Sequence, residues 1–506
     1  MRFFFKGAAC SIATIPLLTT AYVAYAARVK PFVHDEDGVL VTSPVNENNL
    51  LSKVAGKYID LIYAYGAAYG RGKLHFKTGG WGHIGTVERC SNALKTQSLS
   101  KRSAEDRAKE VREWLPRDAM KWESDWEEDE FGSWHRDGSF PTPLIHMFGA
   151  EQTDKMLFEP AQRCHFRYVV PSKTNPSEQP EIFGLTTSAA QTSTTTSPPF
   201  YTSTTASTAS AAPTASTAST ASTASTATTS STTIAGDMPL CIHLPCAGDQ
   251  FFDWRNHHFA TPLAVQHGIA SLIIEAPSYG KRRRPNRKVR GAQVHRLADL
   301  VAGGLTQVTE SISLFAWMED HVPVHSGGNF GLCGISMGAE IATLYAAVTP
   351  IATHIVAIMP VHSAVSIWDE GVLAHVSDWE HLANTMDNKA CTAKDARNRA
   401  VDWLHHTDIR TFAMPFHWMK QEDRPNVLLI GALDDAYIPS TSTWTLSKHW
   451  GDIASTRWLI GGHCTTVLFH KSTVVKTIAE VFEKQIPPLN FVNPASTLPG
   501  QVVSEG

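Results

Sequence analysis

Phe330-Gly331-Leu332-Cys333-Gly334-Ile335-Ser336-Met337-Gly338-Ala339-Glu340 is the stretch that decides the fold. A short apolar run, 330–335, ends at a serine set between glycines, and an apolar helical run, 338–348, follows at once. A strand that turns this sharply into a helix holds the residue at the turn in strained backbone. Small flanking residues let the two elements pass closely. Such a turn lifts the serine hydroxyl above the sheet and aims a helix N-terminus at an oxyanion. The Gly-x-Ser-x-Gly pattern alone is weak, with roughly 0.2 matches expected by chance in a chain this long. The strand before it and the helix after it give it weight.

A serine hydroxyl needs a base to become nucleophilic, and the base needs an orienting carboxylate. On a sheet of this kind the carboxylate and the histidine follow the serine in that order, each past the end of a later strand. The run Val427-Leu428-Leu429-Ile430 leads into Leu433-Asp434-Asp435-Ala436-Tyr437-Ile438-Pro439, and Trp458-Leu459-Ile460 leads into Gly461-Gly462-His463. Alone, an Asp after a strand is a turn former and a His a surface residue. In order and in matching contexts they nominate Ser336 as nucleophile, His463 as general base and Asp435 as orienting acid, with Asp434 as the alternative. The oxyanion donors expected are the backbone N–H of Met337 and one from Cys246 or Ala247, in the loop after 240–244; Pro245 has no N–H to give. Cys464 reads as incidental.

Working outward, short continuous apolar runs recur at 240–244, 270–275, 330–335, 354–360, 426–431 and 456–460, as strands buried on both faces require. Helical stretches at about 292–320, 338–348 and 465–484 alternate with them, which predicts βαβ units and a doubly wound, mostly parallel sheet. Residues 364–424, rich in Trp and His, interrupt the alternation where a cap over a cleft can be inserted. Segment 186–235 is dominated by Ser, Thr and Ala, lacks the apolar mass to offset ordering entropy, and reads as a disordered insertion. It is expected to join a strand at 165–170 to a neighbouring strand at 240–244, since closure entropy grows slowly with length. The divisions expected are a targeting segment or anchor at 1–30, the N-terminal part of the domain at 31–185, the insertion, the core at 236–488 and a tail at 489–506. Residues 48–70 and 101–115 read as helices, and the acidic Trp122–Trp134 run as an exposed loop or substrate-side decoration, with a separate interaction module as another reading.

The chain has 506 residues and a net charge of -4, so bulk electrostatics give no reason to expect a nucleic-acid partner. The run Lys281-Arg282-Arg283-Arg284 with Arg287, Lys288 and Arg290 reads as a solvated loop. Its alternative is contact with anionic lipid. The cysteines are scattered, without zinc spacing or a disulfide framework, and no cofactor is proposed. Arg2 and Lys6 precede a mostly apolar stretch to Ala27, and no acidic residue occurs before Asp35. That fits a signal peptide, a transit peptide or an anchor, and favours an organellar or membrane-associated location over the cytosol.

These motifs resemble those of the α/β-hydrolase domain-containing protein eighteen family. The resemblance rests on Gly334–Gly338, on His243-Leu244 through Gly248-Asp249, and on Glu275-Ala276-Pro277-Ser278-Tyr279-Gly280. Asp435-Ala436-Tyr437-Ile438-Pro439 and Gly461-Gly462-His463 complete it. It covers the region from 240 to the C-terminal helix and, more loosely, what precedes the insertion. It implies the α/β-hydrolase fold, favours Asp435 over Asp434, and leads to an expectation of acyl-lipid hydrolysis at a membrane. The sequence departs from the family pattern at Ala339-Glu340, where Gly-His is usual, and at Pro245-Cys246-Ala247-Gly248. The function expected is cleavage of an ester or lipid acyl bond through an acyl-enzyme. The alternatives are an acyltransferase using the same residues and a catalytically silent binding or scaffolding protein.

Overall fold

An apolar run with no polar face to offer water is stable as a strand only when both its faces are covered. The computed structural model describes residues 50–68, 75–76, 79–98, 104–171, 175–180, 182–183, 238–284, 294–349, 351–386, 391–412, 414–421 and 424–484. The strands are β1 (Lys121–Trp122), β2 (Glu127–Glu128), β3 (Ser133–Pro141), β4 (Arg163–Pro171), β5 (Leu240–Leu244), β6 (Ala270–Ile274), β7 (Phe330–Ile335), β8 (His354–Ile358), β9 (Val427–Ala432) and β10 (Ala454–Leu459). They form one sheet in the order β1-β3-β4-β6-β5-β7-β8-β9-β10, with β2 beside β3. From β6 to β10 all neighbours are parallel, whereas β4 joins β6 antiparallel.

Every residue of β5 to β9 is buried. Alternate side chains go to opposite faces, as the strand period requires. On one face Leu240, Ile242, Phe330, Leu332, Ile355 and Leu429 pack with helices α3 (Leu297–His321) and α4 (Met337–Val348); α1 (Leu50–Ala68) and α2 (Ile84–Ser98) precede them in the chain. On the other face Cys241, Cys333, Val356 and Ile430 pack with Val474 and Ile478 of α7 (Lys471–Val481), which follows α5 (Ser440–Trp450) and α6 (His463–Phe469). The protein thus has the α/β-hydrolase fold, a mostly parallel sheet with helices on both faces. The described residues of 364–424 lie between β8 and β9 and form short helices, of which Ala393–Leu404 is the longest.

Three expectations are corrected. Strands β4 and β5 are not neighbours: β6 lies between them, pairing Phe166 with Ile274 on one edge and Ile242 with Leu272 on the other. The second edge of β5 is taken by β7, so β4 has only the outer edge of β6 to join. The Trp122–Trp134 run is not an exposed loop; it supplies β1, β2 and the start of β3, with Trp122, Trp126 and Trp134 packed against the core. The basic run is not wholly solvated. Arg282 is fully buried and makes paired bonds of 2.9 and 2.7 Å to Glu310 in the middle of α3, because neither charge has water to turn to. Residues 1–30, 186–235 and 489–506 lie outside the described residues. No helix among the described residues is long and apolar enough to cross a membrane.

Candidate active site

The turn after β7 places Ser336 at φ 58° and ψ -117°, a region that costs a non-glycine residue on the order of 1–3 kcal/mol. Surrounding bonds hold it there. Its N–H donates to Ile358 O at 2.9 Å, and its carbonyl accepts from Ala339 and Glu340 as α4 begins. The flanking glycines are sterically required. A Cβ on Gly334 would lie 2.1 Å from Gly338 O, and one on Gly338 would lie 2.7 Å from Leu244 O.

Past the ends of β9 and β10, two loops bring a carboxylate and an imidazole to this serine. His463 Nε2 is 2.9 Å from Ser336 Oγ, and His463 Nδ1 is 2.7 Å from Asp435 Oδ2. Asp435 Oδ1 accepts the N–H groups of Tyr437 and Ile438, each at 2.8 Å, which fixes the plane of its carboxylate. Of the two adjacent acids it is Asp435 that reaches His463. Asp434 instead sends its backbone N–H to Gly461 O at 2.9 Å. The Tyr437 ring covers the imidazole at a centroid distance of 4.9 Å. Burial disfavours the His463 imidazolium, but the Asp435 carboxylate, and more weakly Asp60, outweigh it and hold the imidazole pKa above its ordinary value.

Asp60 went unnoticed in the sequence. It lies on α1, is fully buried, and its Oδ2 accepts the backbone N–H of Ala436 at 3.0 Å and of His463 at 2.8 Å. Its Oδ1 accepts the N–H of Cys464 at 2.8 Å. Burial and the facing Asp435 push its carboxyl pKa up, against the pull of His463 and of these N–H groups. Close approach of α1 depends on glycine. A Cβ on Gly56 would lie 2.6 Å from Gly462 N, and a Cβ on Gly462 would lie 2.6 Å from Asp60 Oδ2. The one available signal was a lone acid in the apolar run Tyr58-Ile59-Asp60-Leu61-Ile62.

The loop carrying Cys246 and Ala247 runs directly alongside the serine turn, since Gly338 abuts both Leu244 O and Pro245 O. The loop is braced on its far side. Arg255 spans Asp249 and His243 O, each at 2.5 Å, and the Tyr279 hydroxyl is hydrogen-bonded to the Gly248 backbone. Gly280, at φ +53°, sits where a Cβ would lie 2.2 Å from Gln250 O. Behind it, burial pushes the Glu275 carboxyl up to about 7. The Glu275–Gly280 segment therefore acts as a wedge under the loop.

Beside Met337, between α3, α4 and the 364–424 segment, lies a mostly apolar pocket whose lining includes Leu300, Leu344, Ile409 and Phe412. Glu340, one turn into α4, lines it too, and burial pushes its carboxyl up to about 7. Among the described residues no cluster of three His, Cys, Asp or Glu side chains is placed to hold a metal ion.

The family model described as alpha/beta hydrolase domain containing 18 matches residues 184–394 and 383–484, together more than half of the chain. Solved structures with a similar backbone include acetyl xylan esterase from Paenibacillus sp. R4, at 12% identity and a TM-score of 0.42, covering 74% of this chain and 92% of that one. Acetyl xylan esterase 1 from Thermoanaerobacterium sp. JW/SL YS485 matches at 12% identity and 0.41, covering 75% of this chain and 93% of that one. An S-formylglutathione hydrolase from Agrobacterium tumefaciens matches at 12% identity and 0.38, covering 72% and 99%. Likenesses this distant carry no argument about substrate.

Proposed function

The chain belongs to the alpha/beta hydrolase domain containing 18 family, and from that premise we propose that it is a serine hydrolase cleaving an ester or lipid acyl bond. The observation that supports this most is the unbroken relay Ser336–His463–Asp435, with contacts of 2.9 and 2.7 Å. Ser336 Oγ attacks the acyl carbonyl as His463 Nε2 takes its proton. Asp435, bonded at Nδ1, keeps Nε2 as the accepting nitrogen and stabilises the imidazolium that forms. The N–H of Met337 and an N–H from Cys246 or Ala247 meet the carbonyl oxygen as it becomes an oxyanion. His463 then returns the proton to the leaving group, and water, activated by the same imidazole, releases the acyl group.

The apolar pocket beside Met337, about 40 Å³ as it stands, offers an apolar wall to the start of an acyl chain and would have to open to take more of it. Glu340 does not spoil it as long as its carboxyl stays protonated, which its raised pKa favours up to about neutral pH. An alcohol in place of water would turn the same centre into an acyltransferase, so the chemistry is common to both up to the acyl-enzyme. Labelling with a broad fluorophosphonate probe tests the reading. Wild-type protein is expected to label, and Ser336→Ala and His463→Ala, checked for wild-type melting, are not. A folded wild-type protein that stays unlabelled would return the protein to the class of silent binding modules.

A further inference from the structure

We propose that Asp60 is a positioning residue for this reaction: its carboxylate ties the acid loop and the base loop together from helix α1 and adds a second negative charge behind the imidazole. The inference rests on the hydrolase reading above. Its ground is the set of bonds Asp60 makes. The backbone N–H groups of Ala436, next to the orienting acid, and of His463 and Cys464, at the start of α6, all converge on one buried side chain.

Two of these donors are the first N–H groups of α6, which a helix leaves unpaired. Gly462, the residue before α6, has no side chain to cap them. Asp60 caps them from a helix 403 residues away in the chain. The same oxygen that takes the His463 N–H also takes that of Ala436, so the two loops cannot slide apart without breaking a bond in the dry interior. Slippage of about 1 Å between such loops would open the Asp435–His463 contact, and misplacement of that size costs on the order of 10²-fold in rate.

The groups around Asp60 act on its charge in both directions: burial and Asp435 favour the neutral acid, and His463 with the N–H donors favours the carboxylate. From the acid loop come Asp435 and Tyr437, with Asp434 beside Gly56; from α6 come His463 and the Cys464 thiol; from α1 comes Tyr63 near Tyr437. Three backbone donors point at Asp60, and the Cys464 thiol donates to it as well. A protonated Asp60 would place a hydroxyl among donors. Ionised, it satisfies all of them and shares with Asp435 the stabilisation of a protonated His463.

The test uses the full-length chain with Asp60→Asn and Asp60→Ser, the second lacking the amide N–H that would oppose the backbone donors. Each is compared with wild type and Ser336→Ala for melting, probe labelling, and kcat and KM on a p-nitrophenyl ester between pH 5 and 9. The expected result is a fall in kcat of about 10- to 100-fold with little change in KM. The acid limb of the rate profile is also expected to move to lower pH, because a base that loses a nearby negative charge gives up its proton more readily. A lower kcat with an unmoved acid limb would reduce Asp60 to a structural tie and overturn the electrostatic half of the proposal. Folded variants with wild-type kcat and profile would overturn all of it while leaving the hydrolase reading intact. An unlabelled wild-type protein would remove the hydrolase reading first and this proposal with it.

Discussion

Under the proposed mechanism, Asp435→Asn isolates what the carboxylate facing His463 does. Asp435 Oδ1 is committed to the N–H groups of Tyr437 and Ile438, each at 2.8 Å. An amide placed there turns its oxygen to those two donors and its NH₂ to His463 Nδ1. That nitrogen must then accept, so the proton moves to Nε2, which faces Ser336 Oγ at 2.9 Å and can no longer take a proton from it. The loss of charge adds to the wrong tautomer. Two unit charges about 4 Å apart interact by about 4 kcal/mol at an effective dielectric of about 20, which alone is about 10³-fold in rate. Together they predict a fall in kcat of about 10³- to 10⁴-fold. Asp434→Asn, whose carboxylate is not the one on the imidazole, is expected to stay within about threefold of wild type. The assay is kcat and kcat/KM on a p-nitrophenyl ester, with melting curves to show that both variants fold. An Asp435→Asn enzyme within tenfold of wild type, or an Asp434→Asn enzyme that loses more, would refute the reasoning.

Two further outcomes are expected. Gly334→Ala forces a Cβ to 2.1 Å from Gly338 O. The turn should open at a cost of about 3 kcal/mol or more, with loss of labelling; denaturant melts and labelling matching wild type would show that the turn yields without strain. Glu340 has its folded-state pKa raised to about 7 from 4.5 by burial, so the folded state keeps a proton that the unfolded chain has released. Its contribution to stability is therefore present below about pH 4.5 and lost as pH rises towards 7, by up to about 3 kcal/mol at 1.36 kcal/mol per pH unit. Glu340→Gln should flatten that part of the melting-temperature curve, and parallel curves for the two proteins across that window would count against it.

The parallel half of the sheet was legible because doubly buried strands must be almost wholly apolar, and β5 to β9 are, with His243, Ser271 and His354 as their polar members. That Ser336, Asp435 and His463 meet was legible for a related reason: each follows one of those runs, so its height in the sheet could be read from the strand before it. The antiparallel half carries a weaker signal. β1 and β2 are two residues each and hold Lys121, Glu127 and Glu128, and their one tryptophan, Trp122, is only half covered. Pairing order was out of reach, since β4 carries nothing in its own residues that selects β6 over β5. Arg282 was hidden inside a run of like charges, and its partner Glu310 sits among Thr309 and Ser311, where nothing marks a buried face. Asp60 escaped because three of its donors are backbone groups, which leave no trace in side-chain identity.

The separation of 403 positions between Asp60 and His463 also sets a schedule. At about 5–20 residues per second, the ribosome finishes α1 some 20–80 s before it makes the base that α1 holds. The serine turn emerges between those two events, with neither of its partners yet made. On the proposed reading the nascent chain therefore carries a nucleophile that nothing activates, and the centre becomes competent only when one of the longest loops in the chain closes. A truncated product ending before Gly461 would be inert for the same reason, however well its central strands had packed.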